Sequence, residues 1–127
     1  MRKRVKPARP KSRRTLKETK LALCKMSNIE LRREVLISIQ RALWGMIYPE
    51  IRAISVGYEG TQKLIINCYL DREPNEGDYE NISEVASEVC ADINFLKVEE
   101  NCIFSLEPIT KLDNLKSWVY IRKEIRG

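Results

Sequence analysis

Apolar positions in the second quarter of the chain recur at three- and four-residue steps and predict an amphipathic helix from about Asn28 to Ile47. Ser27, followed three residues later by Glu30, is typical of a capping box at a helix N-terminus. Pro49 ends the pattern. One face of this helix is therefore expected in the core, through Leu31, Val35, Leu36, Ile39, Leu43 and Ile47.

Period-two segments rich in β-branched and aromatic residues predict strands. Ile51–Tyr58 and Gln62–Leu70 flank a short turn at Gly60 and predict a β-hairpin. Further along the chain, Phe95–Leu106 predicts a third strand, and Trp118–Lys123 alternates as a closing strand after a loop.

A second amphipathic helix is predicted between the hairpin and the third strand. Asn75 is the expected N-cap, and Glu76 and Asp78 suit the positive helix start. Glu80, Glu84 and Glu88 follow at four-residue intervals on the polar face without alternating Lys to offset them. The apolar stripe of this helix is Tyr79, Ile82, Ala86, Val89 and Ile93.

The predicted order is helix, strand, strand, helix, strand, strand. The 127 residues, of which 43% are apolar, suffice for one compact domain. We therefore expect a two-layer α+β fold, a four-stranded mainly antiparallel sheet with both helices on one face.

Charge divides the chain at Met26. Residues 1–25, the leader, have eleven Lys and Arg and one acid, whereas residues 26–127 carry a net charge of −5 within a chain total of +5. The composition of the leader predicts disorder. A second interpretation is that the reading frame starts at Met26, because the capping box of Ser27 and Glu30 follows it directly. Alternatively, the leader is a localisation signal or a basic arm of a small nucleic-acid-associated protein. The acidic α+β domain is expected over residues 26–127.

The chain contains no histidine, which excludes histidine-based catalysis and metal ligation. The glycines predict no phosphate-binding loop because they occur singly. Cys24, Cys68, Cys90 and Cys102 lack zinc-site spacing, and the last three are expected to be buried small hydrophobes. We therefore predict a protein that is not an enzyme and has no metal or cofactor.

Neither a membrane-spanning nor a secreted protein is predicted. No apolar run approaches the roughly 20 residues needed to cross a bilayer. The apolar run directly before Cys24 is only three residues long, Leu21 to Leu23, too short for a secretory signal peptide. We expect a cytoplasmic protein with no membrane partner.

Ten acids and only two bases lie between Asp71 and Glu100. Their spacing fits no calcium loop, although a metal or paired-carboxylate site and a merely solvated helix face are alternatives. An acidic surface that binds a cationic partner is the functional interpretation, since complementary charge speeds encounter and repels nucleic acid. The candidate partner-binding residues are Asp71, Glu73, Glu76, Asp78, Glu80, Glu84 and Glu88.

Three segments resemble, in this order, small bacterial immunity proteins of contact-dependent growth inhibition and related polymorphic toxin systems. They are RALWGMIYPEIRAISVGYEG at 41–60, CYLDREPNEGDYENISEVASEVCADI at 68–93 and SWVYIRKE at 117–124. The resemblance implies a non-catalytic cytoplasmic protein that binds and neutralises its cognate secreted toxin domain. Toxins of this class are often nucleases with basic surfaces, and an acidic inhibitor can mimic the phosphate backbone that such an enzyme binds.

Overall fold

In the computed structural model, residues 2–7 and 27–124 are described. Within these ranges the chain forms two helices and five strands, which confirms the predicted α+β class. The elements are β1 (Arg2–Pro7), α1 (Asn28–Ala42), β2 (Ile51–Glu59), β3 (Lys63–Leu70), α2 (Glu76–Asp92), β4 (Lys97–Phe104) and β5 (Ser117–Ile121), with a 3₁₀ turn at Ile109–Lys111 before β5.

The strands form one mixed sheet in the order β1-β4-β3-β2-β5. β2 and β3 are antiparallel, with Glu59 opposite Lys63, and confirm the predicted hairpin. β5 pairs antiparallel with the other side of β2. β3 and β4 are parallel neighbours, with Leu70 opposite Phe104. The expected mainly antiparallel arrangement therefore has to be corrected at the β3–β4 pair.

The parallel pair follows from the helix that connects its strands. α2 returns the chain from the end of β3 to the end at which β3 began, so that β4 starts beside Lys63 and runs in the same direction. The helix packs against β4, where Ser83 Oγ donates a hydrogen bond of 2.9 Å to Glu100 Oε1. This β3-α2-β4 crossover places the acidic helix over the β4 side of the sheet.

The strand β1 lies at the beginning of the leader, the segment for which the composition predicts disorder. Arg2–Pro7 pairs antiparallel with the outer side of β4, with Arg2 opposite Cys102 and Pro7 opposite Lys97. The edge of a sheet presents unpaired N–H and C=O groups, which can order a short segment whose own composition favours disorder. The rest of the leader, and the start at Met26, lie outside the described residues.

Local signals fix both helix starts. Ser27 Oγ accepts a hydrogen bond of 3.1 Å from Glu30 N, and Asn75 and Asp78 form a complete capping box. α1 ends at Ala42, five residues before the predicted end, in a turn that includes Gly45 at φ +75°. This early end places the next residues of the apolar pattern outside the helix.

Both helices cover the same face of the sheet. Alternate residues of β3 point into one core with the buried stripes of α1 and α2, as the strand period of two requires. Cys68, Cys90 and Cys102 are buried free thiols, as predicted, and Cys24 lies outside the described residues. A hydrogen bond to Cys102, together with burial, holds the pKa of Cys68 well above its usual value. The core includes Val35, Ile39, Leu64, Ile66, Leu70, Ile82 and Val89.

The segment between β4 and β5, residues 105–116, crosses the sheet face opposite the helices. Ser55 Oγ and Tyr69 Oη both donate hydrogen bonds to the Asp113 carbonyl, at 3.1 and 2.8 Å. A Cβ at Gly57 would lie only 3.1 Å from the Leu115 Cβ, so glycine there permits the close approach of this segment. The crossing carries β5 to the edge beside β2.

Candidate partner-binding surface

Helix α2 presents a row of carboxylates to solvent. Because its apolar stripe faces the sheet, Glu80, Glu84 and Glu88 lie exposed on the opposite side. The helix contains no Lys or Arg to offset them. Glu73 and Glu76 are also exposed, at the beginning of the helix. Five of the seven candidate partner-binding residues therefore lie on this surface.

A groove of about 310 Å³ separates α2 from the end of α1. The acidic helix contributes Glu84 and Glu88 to this groove, and Trp44 stands on the opposite wall with 77% of its surface exposed. The groove is lined by Arg41, Ala42, Trp44, Met46, Glu84 and Glu88. The structure thus combines two of the predicted acids with an exposed aromatic ring.

Sequence reasoning did not identify Trp44. The buried positions of α1 continue at four-residue steps to Leu43, and the next residue is turned by about 100° from that stripe. Trp44 consequently points away from the core instead of joining it. Its position directly after a stripe residue, and just before Gly45, is the signal that could have identified it.

Hydrogen bonds between the two helical segments hold the walls of the groove together. Asn81 Nδ2 of α2 donates to the Met46 carbonyl at 3.0 Å, beside Trp44. At the other end of α2, Asp92 Oδ2 accepts a hydrogen bond of 2.7 Å from Ser38 Oγ of α1. A groove whose walls are tied together loses little conformational freedom when a partner binds.

The structure places Asp78 outside the candidate surface. Its side chain is only 2% exposed and forms an ion pair with Arg72, at 2.7 Å from Nη1 to Oδ2. Tyr48 Oη donates a further hydrogen bond to Oδ1. Although burial raises the pKa of Asp78, the hydrogen bonds from Arg72 and Tyr48 outweigh it, and the net pKa is lowered. This carboxylate stabilises the start of α2 and is not available to a partner.

Asp71 also has an internal partner, in a cluster at the end of β5. Arg122 donates to Asp71 Oδ2 at 2.8 Å and to Glu124 Oε2 at 2.9 Å. Arg52, which is buried, donates from Nε to the same Glu124 oxygen at 2.8 Å. These four residues line a second cavity of about 490 Å³, together with Leu106 and Lys123. The cluster fastens the C-terminal segment to the sheet.

Other classes of site find no support in the described part of the chain. No group of three or more Cys, Asp or Glu residues there could hold a metal ion. No helix there is long and apolar enough to cross a membrane. The groove itself presents two carboxylates, one guanidinium and an indole ring.

A family model described as "MafI2 immunity protein" matches residues 32–124. The chain belongs to the MafI2 immunity protein family. Maf toxin immunity systems are of the polymorphic toxin type, so the match confirms the resemblance seen in the sequence. No curated protein matches the chain.

The matched region of this MafI2 protein contains most of α1, all of α2 and the strands β2–β5. The groove with Trp44, Glu84 and Glu88 lies entirely within it, whereas β1 and the rest of the leader precede it. Family membership indicates an immunity protein with a cognate toxin as its partner. The candidate surface thus belongs to the part of the chain that defines the family.

Proposed function

We propose that this chain neutralises the toxin of its own system in the cytoplasm, by binding a basic surface of the toxin with the exposed face of α2 and the adjoining groove. The toxin in this proposal is a nuclease, whose substrate surface must be positively charged to hold phosphates. The protein itself uses no catalytic residue, metal or cofactor. Family membership supports the immunity role.

The observation that carries the proposal is Trp44 beside Glu84 and Glu88. Exposure of the apolar indole ring to solvent is unfavourable by itself. Tryptophan is also enriched among the few residues that contribute most of the binding energy at protein–protein interfaces. Carboxylates next to an indole ring suit a Lys or Arg side chain, which can stack on the ring while its charge meets the carboxylates. The groove is therefore complementary to a protruding basic side chain of the toxin.

The remaining acids of α2 contribute to the approach of the toxin. Glu80 lies on the same exposed face as Glu84, and Glu73 and Glu76 extend the negative surface beyond the helix start. Exposed charges contribute little to affinity but raise the association rate with an oppositely charged partner. The association rate should consequently fall as salt is added, because the Debye length shortens from about 30 Å at 0.01 M to about 10 Å at 0.1 M.

Coexpression with the toxin domain of its own system tests the proposal. The unaltered chain should restore growth. Trp44→Ala should weaken toxin binding by roughly 30-fold or more, which corresponds to a loss of about 2 kcal/mol in binding free energy, and so should the double variant Glu84→Lys/Glu88→Lys. Binding is measured by titration calorimetry with a catalytically inactivated toxin. Digestion of DNA and RNA by the isolated toxin checks that it is a nuclease.

Matched controls exist on distant surfaces. Leu106 is 75% exposed, close to the value for Trp44, and lies in the loop after β4, so Leu106→Ala should leave binding unchanged. Glu107→Lys controls for the charge reversals, since Glu107 is exposed in the same loop. Failure of the unaltered chain to protect cells would overturn the immunity role. Equal effects of Trp44→Ala and Leu106→Ala would remove the groove from the interface.

A further inference from the structure

The outer face of α1 presents apolar side chains to solvent. Ile29 and Ile37 are 70% and 48% exposed, and Arg33 lies exposed between them, about one helical turn from each. These three residues lie on the side of α1 opposite its buried stripe. The toxin contacts proposed above do not use this outer face, which consists of Ile29, Arg33 and Ile37.

The outer face has the chemistry that the groove between α1 and α2 accepts. The groove combines the indole ring of Trp44 with the carboxylates of Glu84 and Glu88, and Arg41 offsets only one of these two charges. Arg33 supplies a cation between two apolar side chains, so it can meet the carboxylates while its neighbours pack beside the ring. The helices differ in charge in the same sense, since α1 contains three Arg and two Glu, whereas α2 contains six acids and no base.

Arg33 cannot reach the groove of its own chain, because it precedes Arg41, which lines that groove, by eight residues, or about 12 Å along the helix axis. A second copy removes this limit. With a two-fold axis across α1 near Ile37, which is midway between Arg33 and Arg41 in the sequence, each copy brings its Arg33 to the groove of the other. The two Ile37 side chains then meet at the axis.

We propose that this chain forms a two-fold dimer in which the outer face of α1 in each copy docks in the groove of the other. The dimer goes beyond the function proposed above and does not depend on it. It buries the isoleucines and the indole ring that the single chain exposes, and it does so in both copies at once. Since the groove is also the proposed toxin surface, the toxin displaces the second copy when it binds.

The test exchanges charges between two variants of the full chain, without the toxin. Arg33→Glu and the double variant Glu84→Lys/Glu88→Lys should each raise the dimer dissociation constant roughly tenfold or more, because each brings like charges together at both contacts. An equimolar mixture of the two should dimerise again, within about threefold of the parent. In the mixed dimer one contact keeps the original charges and the other has them exchanged. Sedimentation equilibrium over about 1 μM to 1 mM protein measures the dissociation constants.

Matched controls separate this interface from a general effect of charge or exposure. Arg32→Glu makes the same charge change on α1, but Arg32 donates to the Lys116 carbonyl at 3.4 Å, beside β5, so the parent dissociation constant should be kept. Ile37→Ser should weaken the dimer roughly tenfold or more, whereas Leu106→Ser, at a residue 75% exposed elsewhere, should not.

Two results would overturn the dimer. One is a parent chain that stays monomeric over the whole concentration range, and the other is a mixture no more associated than its two components. If no form of the chain binds the toxin, the proposed function fails while sedimentation still decides the dimer. If both hold, Arg32→Glu should bind the toxin with an apparent affinity that falls as the concentration of the chain rises, whereas the affinity of Arg33→Glu should not change with concentration.

Discussion

Arg72 and Asp78 form a two-point ion pair across the start of α2. Nη1 of Arg72 lies 2.7 Å from Oδ2 of Asp78, and Nη2 lies 3.0 Å from Oδ1. The same carboxylate accepts the Asn75 N–H that completes the capping box and the hydroxyl of Tyr48. One buried side chain thus ties the turn after β3, the helix start and the end of the α1 segment to one another.

Replacement of Asp78 by Asn should therefore destabilise the fold strongly. The variant keeps the size of the side chain but removes the charge that Arg72 and Tyr48 face, at an expected cost of about 2–4 kcal/mol in the free energy of unfolding. Urea unfolding followed by circular dichroism measures this change. Glu80→Gln is the control, since Glu80 is exposed on the same helix and its loss should cost less than about 0.5 kcal/mol. Similar unfolding midpoints for the two variants would contradict the role assigned to Asp78.

Acid should weaken the attachment of the C-terminal segment. Hydrogen bonds from Arg52 and Arg122 lower the pKa of Glu124 from about 4.5 to about 2. A depressed pKa in the folded state means that the stabilisation is complete above about pH 4.5 and is lost as the pH falls through about 2. The free energy of unfolding should consequently decline across this window.

The variant Glu124→Gln isolates this contribution. It should be less stable than the parent above about pH 4.5 and approach the parent near pH 2, so its decline across the window should be shallower. Urea unfolding at intervals from pH 2 to pH 6 provides the comparison. Parallel curves for parent and variant would show that Glu124 does not carry the effect.

The parts of this fold that depend on local signals are predictable from the sequence. Ser27 and Asn75 cap the two helices because their side chains accept bonds from nearby backbone N–H groups, a relationship that spans only three residues. Gly60 marks the hairpin turn in the same local way, with a φ of +52°. Burial of most of the apolar stripes also follows from their period, as does the exposure of Glu80, Glu84 and Glu88, whereas Ile47, predicted in the core, lies beyond the end of α1 and is 37% exposed.

The other features of the fold depend on contacts between segments that are distant in the sequence. The parallel pairing of β3 with β4 is set by the direction in which α2 crosses the sheet, which residue periodicity does not encode. The strand at Arg2–Pro7 needs the edge of β4, whereas its own composition predicts disorder. Sequence spacing places Asp78 among the candidate partner-binding acids, because its ion pair with Arg72 forms only once the turn between them has folded. Contacts with distant segments thus explain why the sequence alone did not indicate the parallel pairing, the strand Arg2–Pro7 or the ion pair of Asp78.

The acids beside Trp44 should impose a charge preference on small quenchers. In the variant Trp118→Phe, which leaves only Trp44, the ratio of caesium to iodide quenching constants at low salt should be roughly two- to fivefold higher than for N-acetyltryptophanamide, since the carboxylates of Glu84 and Glu88 attract the cation. Arg41 lines the same groove and limits this preference. Replacing both Glu84 and Glu88 by Gln should abolish it, whereas Glu107→Gln should not. A caesium-to-iodide ratio equal to that of N-acetyltryptophanamide would show that the groove is not negative.

The loop that crosses the open face of the sheet should be stabilised by two donors acting on one acceptor. Ser55 Oγ and Tyr69 Oη both bond to the Asp113 carbonyl, so either donor alone leaves that carbonyl satisfied. Ser55→Ala and Tyr69→Phe should each lower the free energy of unfolding by about 0.5–1.5 kcal/mol. The double variant should lose more than the sum of the two, because only then is the carbonyl without either protein donor. Urea unfolding of the four proteins gives the coupling energy directly, and strict additivity would show that the two hydroxyls act independently on this crossing.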